Sequence, residues 1–337
     1  MKYRIRVSLV TLMLGMGLAL GPASAADKVS FALDWIVNGT HAGYFVAKSK
    51  GFYEKAGLDV EISRGFGSGD TVKRVATGSA SIGLADASAM IASRANEDVP
   101  VRIVAAVYGK APLGVIFLKE SGVKTPADLV GKKIARTASG SSVIMFPAFL
   151  QANKLDRSKI EELVADANVL LPMLMSRRVD GVLGQTVHVD RYKKLASQQG
   201  LTATSMNYSD FGLDVYGNAI IVGSKFLESN PALVARFVEA SLRGVAYALE
   251  NPDEAAAIVK SQHPETDIEV LREEITEVTK VIMTDEAKAK GIGFVSSERL
   301  ANTIRVVYEA LKLKREPSVD DVFSSTALPK TPIGLPK

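Results

Sequence analysis

Residues 29–43 read Val29-Ser30-Phe31-Ala32-Leu33-Asp34-Trp35-Ile36-Val37-Asn38-Gly39-Thr40-His41-Ala42-Gly43. Val29, Phe31, Leu33 and Trp35 alternate along the chain, which places four large apolar side chains on one face of a strand. A helix is expected to follow from about His41 to Lys50, closed by Gly51. The same strand-then-helix unit recurs. Leu58, Val60 and Ile62 mark a second strand, and the turn Gly67-Ser68-Gly69-Asp70 opens a helix through Thr77. Ser81 to Ala85 reads as a third strand with a helix through Asn96, and Val101 to Val107 as a fourth strand. A β-α-β-α-β-α-β order predicts a mostly parallel sheet with helices on both faces.

The pattern then restarts. Val115–Leu118, Lys133–Thr137, Ile160–Val164 and Val179–Leu183 read as strands. Helices between and after them open at Thr125-Pro126, at Ser139-Gly140-Ser141-Ser142, at Asn168 and near Val187. After Asn218 the chain reads as helical, with cap-then-proline starts at Asn230-Pro231 and Asn251-Pro252 and further helices over 266–280 and 297–313. From Pro317 the tail reads as a surface strap. The expected architecture is α/β: two lobes, 26–110 with 221–337 and 111–220, joined by two crossings near Tyr108–Gly114 and Tyr216–Val222. A ligand would then lie in the cleft, at strand carboxyl ends and helix N-termini.

Composition narrows the chemistry. With no cysteine, disulfide scaffolds, zinc–thiolate and iron–sulfur sites, cysteine nucleophiles and a lipid-modified N-terminal cysteine are all excluded. Lys2, Arg4 and Arg6, the apolar run Val7–Leu20 and the small residues Ala23-Ser24-Ala25 form a secretory signal-peptide pattern over 1–25. The apolar run falls short of the about 20 residues a membrane span needs. Its three basic residues account for three of the four formal positive charges, so no basic stripe remains for nucleic acid.

Several familiar chemistries are missing. No G-x-x-x-x-G-K-[ST] loop occurs, Gly65-Phe66-Gly67-Ser68-Gly69 lacks dinucleotide-binding spacing, and Gly140-Ser141-Ser142-Val143 is no nucleophile elbow. His41, His188 and His263 show no H-x-x-x-H pairing, so no metal or other cofactor is expected. Glu161-Glu162 and Glu273-Glu274 read as solvated helix faces.

The densest polar–aromatic cluster is the opening stretch itself. Trp35, the one tryptophan, can stack on a planar ring, and Asn38 can both donate to and accept from a heterocycle edge. On residues alone, the other reading is equally open: Trp35 as core, Asn38 as a helix cap and His41 as a satisfied first-turn residue.

This stretch resembles the pattern L-[DN]-W-x-P-N-x-x-H-x-G of the thiamine pyrimidine-precursor family, which is related to the sulfonate, taurine and nitrate solute-binding proteins of ABC importers. Trp35, Asn38, His41 and Gly43 match, and Val37 replaces the proline. Val46-Ala47-Lys48-Ser49-Lys50-Gly51-Phe52-Tyr53 with Gly57-Leu58-Asp59-Val60 is similar to a further run of that family. So are Pro112-Leu113-Gly114-Val115, residues 125–134 and residues 226–231. The resemblance spans about 29 to 260. It implies a type II periplasmic-binding-protein fold, two α/β lobes on a two-strand hinge, and a monomer in the periplasm without a lipid anchor. It further implies capture of a small molecule for an ABC permease pair driven by a cytoplasmic ATPase.

One branch of the family makes the thiamine pyrimidine from an internal histidine and a lysine-bound pyridoxal phosphate. By the resemblance those lysine and histidine positions fall at Ala85 and Ala89, and the cysteine-rich segment falls near Gly212–Asn218, where no cysteine occurs. An enzyme of that kind cannot run without its imine-forming amine. The expected ligand is a pyrimidine-type thiamine precursor with Trp35 as platform, Asn38 as edge reader and His41 beside them. Ser68, Ser139 and Ser141 open helices whose free N–H groups attract negative charge, and Arg136 lies just before the second start. These leave a sulfonate, taurine or aromatic carboxylate as the alternative. Asp86, Tyr108, Gln185 and Tyr216 sit at expected strand ends or crossings and are candidate second-lobe or hinge contacts.

Overall fold

The computed structural model describes residues 26–334; the signal-peptide pattern lies outside them. Among the described residues, ten strands form two five-stranded sheets. The first holds β1 (Asp27–Ala32), β2 (Leu58–Ser63), β3 (Ile82–Asp86) and β4 (Val101–Ala106). The second holds β5 (Leu113–Leu118), β6 (Lys133–Arg136), β7 (Glu161–Val164), β8 (Gly181–Gln185) and β9 (Ala203–Asn207), and β10 (Asn218–Gly223) returns to the first. The orders are β2-β1-β3-β10-β4 and β7-β6-β8-β5-β9.

The two sheets share one topology. In each, four strands run in one direction, and a strand arriving from the other lobe inserts antiparallel: β10 between β3 and β4, β5 between β8 and β9. The sheets are therefore mostly parallel, as expected, but mixed, each with one reversed strand. The physical reason is the double crossing, since a strand that enters from the opposite lobe points against those it joins. The expectation that the chain turns helical directly after Asn218 is corrected by β10. Its run Ala219-Ile220-Ile221-Val222 is buried on both faces and carries no alternation to signal a strand. Strand β9 was not foreseen, and β8 lies two residues later than expected, which puts Gln185 at its carboxyl end.

The crossings run side by side. Val107 and Tyr108 both donate backbone N–H groups to the Asn218 carbonyl at 2.9 Å, and Ala111 N–H donates to the Val215 carbonyl at 2.9 Å. On the hinge side the lobes share apolar packing: Phe146 and Phe149 from the helix Ser141–Ala152 belong to the same buried cluster as Met90, Leu300 and Ile304.

The long helix Pro231–Glu250 packs on the helix Ala42–Ser49 at glycine-only distance. A Cβ at Gly43 would lie 2.6 Å from Val245 Cα, and one at Gly244 would lie 2.2 Å from the Gly43 carbonyl oxygen. The tail is more than a strap. It forms a short helix Val319–Val322, buries Val322 and Ala327, and its Ser324 N–H donates to the Ile103 carbonyl at 3.0 Å, covering the free edge of β4.

Candidate functional site

The cleft between the sheets gathers the carboxyl ends of the parallel strands and the helices that start there. Ser68–Ala76 follows β2, Ser141–Ala152 follows β6, Ala167–Met175 follows β7 and a short turn of helix, Thr186–His188, follows β8. The cavity holds about 860 Å³ of empty space, counting its open mouth. Trp35 and Ile36 wall it on the first lobe, and Ile116, Leu170, Leu171, Leu183 and Tyr192 on the second.

Behind Trp35 lies a buried polar core. Asp34 is 5% exposed, and one carboxylate oxygen sits 2.8 Å from His41 Nε2. Its other oxygen accepts from Asn218 Nδ2 at 2.9 Å. Burial would raise the Asp34 carboxyl, but the His41 hydrogen bond and charge, then Asn218, then the charge of His188, hold it below its ordinary value. The Asn218 side-chain oxygen in turn accepts from Gln185 Nε2, across the cleft, at 3.2 Å. Gln185 thus joins the lobes by hydrogen bonds to groups on β10 and after β1.

A second cross-cleft pair has its anchor in Glu274, 2% exposed on the helix Ile268–Ile282. One carboxylate oxygen accepts from the Gly39 N–H at 2.7 Å, and the other lies 3.1 Å from His188 Nδ1 on the second lobe. Of the pair Glu273-Glu274, the first is solvated as expected and the second is not. The helix turns Glu274 inward because Leu271, Ile275 and Val278 share its buried side, and the start of the first helical turn needs an acceptor there. Two further cross-cleft contacts sit at the rim. Ser139 Oγ donates to the Phe66 carbonyl at 3.2 Å, and Lys194 Nζ lies 2.7 Å from both Asp267 and Glu269.

Of the residues expected from sequence, Trp35, Asn38, Ser68, Ser141 and Gln185 line the cavity. Asn38 is also the helix cap: its oxygen accepts from Thr40 N–H and Thr40 Oγ1 at 2.9 and 2.7 Å, and its Nδ2 donates to the Ile36 carbonyl at 2.9 Å. One amide N–H is left for a ligand. Ser68 Oγ accepts from the Asp86 N–H at 3.1 Å.

The other five stand off the cavity wall. His41, 1% exposed, orders the turn through Asp34. Asp86 is buried beneath Ser68 and caps the helix Ala87–Glu97 through Ser88 N–H at 2.9 Å, and its second oxygen has no partner among the described residues. Burial, aided by the Asp34 charge, pushes its carboxyl up to about 7 against the lowering pull of Ser88. Tyr108 is buried with its phenol pushed up by burial and by the Asp34 and Glu274 charges. Ser139 makes the rim contact rather than a wall. Tyr216 faces away, its hydroxyl donating to Glu286 and accepting from the Ser296 N–H, with Arg299 over its ring at 4.6 Å. Arg136 is paired with Glu162 and does not reach the cavity. Sequence reading missed Asp34, Glu274, Asn218, His188 and Arg191. Asp34 stood inside the matched stretch; the rest lie on elements whose meeting at the cleft no local pattern signals.

Two lobes of this shared topology, closing on a ring-lined cleft at the strand ends, define a periplasmic-binding-protein fold. Residues 38–255 match the family described as NMT1/THI5 like, and the chain belongs to that family. It is 25% identical, over 89% of this chain and 91% of the relative, to a formylaminopyrimidine-binding protein of Halalkalibacterium halodurans. It is 25% identical, over 90% and 86%, to the riboflavin-binding protein RibY of Chloroflexus aurantiacus. A 4-amino-5-hydroxymethyl-2-methylpyrimidine phosphate synthase of Legionella pneumophila is 22% identical over 72% of this chain and 76% of its own. Among solved structures, the alkanesulfonate-binding protein SsuA of Xanthomonas axonopodis pv. citri, bound to MOPS, superposes with a TM-score of 0.68 at 14% identity, covering 91% of this chain and 99% of that one.

Proposed function

We propose that the chain is the solute-binding protein of an ABC importer, working in the periplasm as a monomer and capturing a small heteroaromatic solute of the pyrimidine type. The observation that carries this reading is Trp35, the one tryptophan, walling the interlobe cavity at the end of β1. A ring laid on its face gains about 0.5–1.5 kcal/mol beyond burial, and Leu170, Leu171 and Leu183 on the opposite lobe supply an apolar lid. The names of the Halalkalibacterium and Chloroflexus relatives, a pyrimidine and a flavin binder, support a heteroaromatic ligand.

The ligand meets the lobe built on the first sheet, β10 included, and the lobe that carries β5 to β9 rotates over it about the paired crossings. Closure brings together Gln185 with Asn218 and His188 with Glu274, so a ligand that favours closure gains those bonds as well. The closed form then docks on a permease pair served by a cytoplasmic ATPase. No helix among the described residues is long and apolar enough to cross a membrane. Synthase chemistry is disfavoured by the residues themselves. Ala85 and Ala89, the positions that resemblance gives to the lysine and histidine of the synthase branch, are buried methyl groups with no amine or imidazole to offer.

A thermal-shift panel on ligand-stripped protein tests the reading, with pyrimidine thiamine precursors, thiamine, riboflavin, nucleobases, taurine, alkanesulfonates, nitrate and aromatic carboxylates. At a hundredfold excess over its dissociation constant a true ligand stabilises by about 2.7 kcal/mol. The expected hit is a pyrimidine or related heteroaromatic. Stabilisation by aliphatic sulfonates alone would overturn the heteroaromatic assignment.

A further inference from the structure

The charges that line the cavity are not all spent. Asp34 is held by His41 and Asn218, and Glu274 by Gly39 and His188. Arg191 also lines the cavity, from the second-lobe helix Val189–Ser197, and it has no ion pair or side-chain hydrogen bond among the described residues. The second lobe adds further unclaimed polar groups to the same wall. The Ser141 hydroxyl is on a residue only 5% exposed, and neither it, the Asn168 amide nor the Tyr192 hydroxyl has a partner among the described residues. On the first lobe, by contrast, both carboxylates, Asp34 and Glu274, are committed to the protein's own groups, and Asn38 and Ser68 are partly so.

From this asymmetry we infer that the captured solute is a heteroaromatic carrying an anionic substituent, and that Arg191 is the residue that selects it. The inference rests on the heteroaromatic reading above and adds the charge of the ligand to it. The ring lies against Trp35, and its acidic group points to the second lobe, where a guanidinium fork matches the two oxygens of a carboxylate. The arrangement also assigns a purpose to the charge. A solute that satisfies Arg191 engages the moving lobe as well as the fixed one, so its anionic group contributes to closure rather than only to first encounter.

Matched probes separate the possibilities: 4-amino-2-methylpyrimidine bearing a 5-carboxylate, and the same ring bearing a neutral 5-hydroxymethyl group. Calorimetric titration of the wild type is expected to show the carboxylate bound about tenfold or more tightly, as one charge-assisted contact predicts. Arg191→Gln is expected to cost the carboxylate about tenfold more than it costs the neutral ring, and Arg191→Lys to restore part of the loss. Raising salt from about 0.05 to about 0.5 M should narrow the wild-type preference. Equal losses for both probes in Arg191→Gln, or a wild type that prefers the neutral ring, would overturn the inference and leave the heteroaromatic reading standing. Binding of neither probe defeats both.

Discussion

Asp86 shows how one buried side chain ties stability to pH. It caps the helix Ala87–Glu97 but leaves one oxygen without a partner, and burial raises its carboxyl to about 7. In the unfolded chain the same group ionises near its ordinary value of 3.8. Between those limits the folded protein holds a proton that the unfolded chain has released, so stability falls as pH rises, by at most about 1.4 kcal/mol per pH unit. Asp34 works in the opposite sense and in another window, since its lowered carboxyl gives stability that is lost only as pH falls below the ordinary range. Urea unfolding across the range from the ordinary carboxylate value to about 7 is expected to show the Asp86 slope in wild type and its loss in Asp86→Asn. An unchanged slope in the variant would place the buried proton elsewhere. Trp35 and Asn38 divide the matched stretch between them: the indole is free to meet a ligand, whereas the amide is mostly committed to the turn.

The helix Ile268–Ile282 carries the clearest division of labour between holding the fold and closing the cleft. One oxygen of Glu274 satisfies the Gly39 N–H within the first lobe, and the other meets His188 across the cleft. Glu274→Gln keeps an acceptor for Gly39 and removes the charge that faces His188. It is expected to leave the midpoint of thermal unfolding nearly unchanged while lowering ligand affinity several-fold. Glu274→Ala leaves a buried N–H without a partner and is expected to destabilise the protein by about 1–3 kcal/mol. Thermal unfolding paired with calorimetry on both variants checks this; equal destabilisation by Gln and Ala would show that the His188 pair is part of the fold's stability rather than of closure. Elements with a strong period or clear punctuation, such as β1, Ser68–Ala76 and Pro231–Glu250, were legible in the sequence. Strand β10 was not, because a short strand flanked on both sides needs no alternation, and Glu274 was not, because an inward carboxylate on an amphipathic helix looks like its exposed neighbours.

At the scale of the whole molecule, the crossings make the site. They set two copies of one sheet topology against each other, so strand ends and helix starts of both lobes face a single cavity. The alternation of α and β and its restart near residue 113 made the two-lobed plan readable, while the antiparallel insertion of β5 and β10 follows from the crossing and has no local signature. What holds the cleft shut is modest. The Lys194 bridges are at the surface, where water and salt screen them, so closure turns on the half-buried Gln185 and His188 contacts together with the ligand itself. The central claim is that a heteroaromatic ring sits on Trp35 between the lobes, and a chain with one tryptophan reports on it directly. The measurement is a titration of intrinsic tryptophan emission in ligand-stripped protein with 4-amino-2-methylpyrimidines and, in parallel, with taurine. The account predicts saturable quenching by the pyrimidine and none by taurine. Emission that pyrimidines leave unmoved, with a saturable response to taurine, would contradict it.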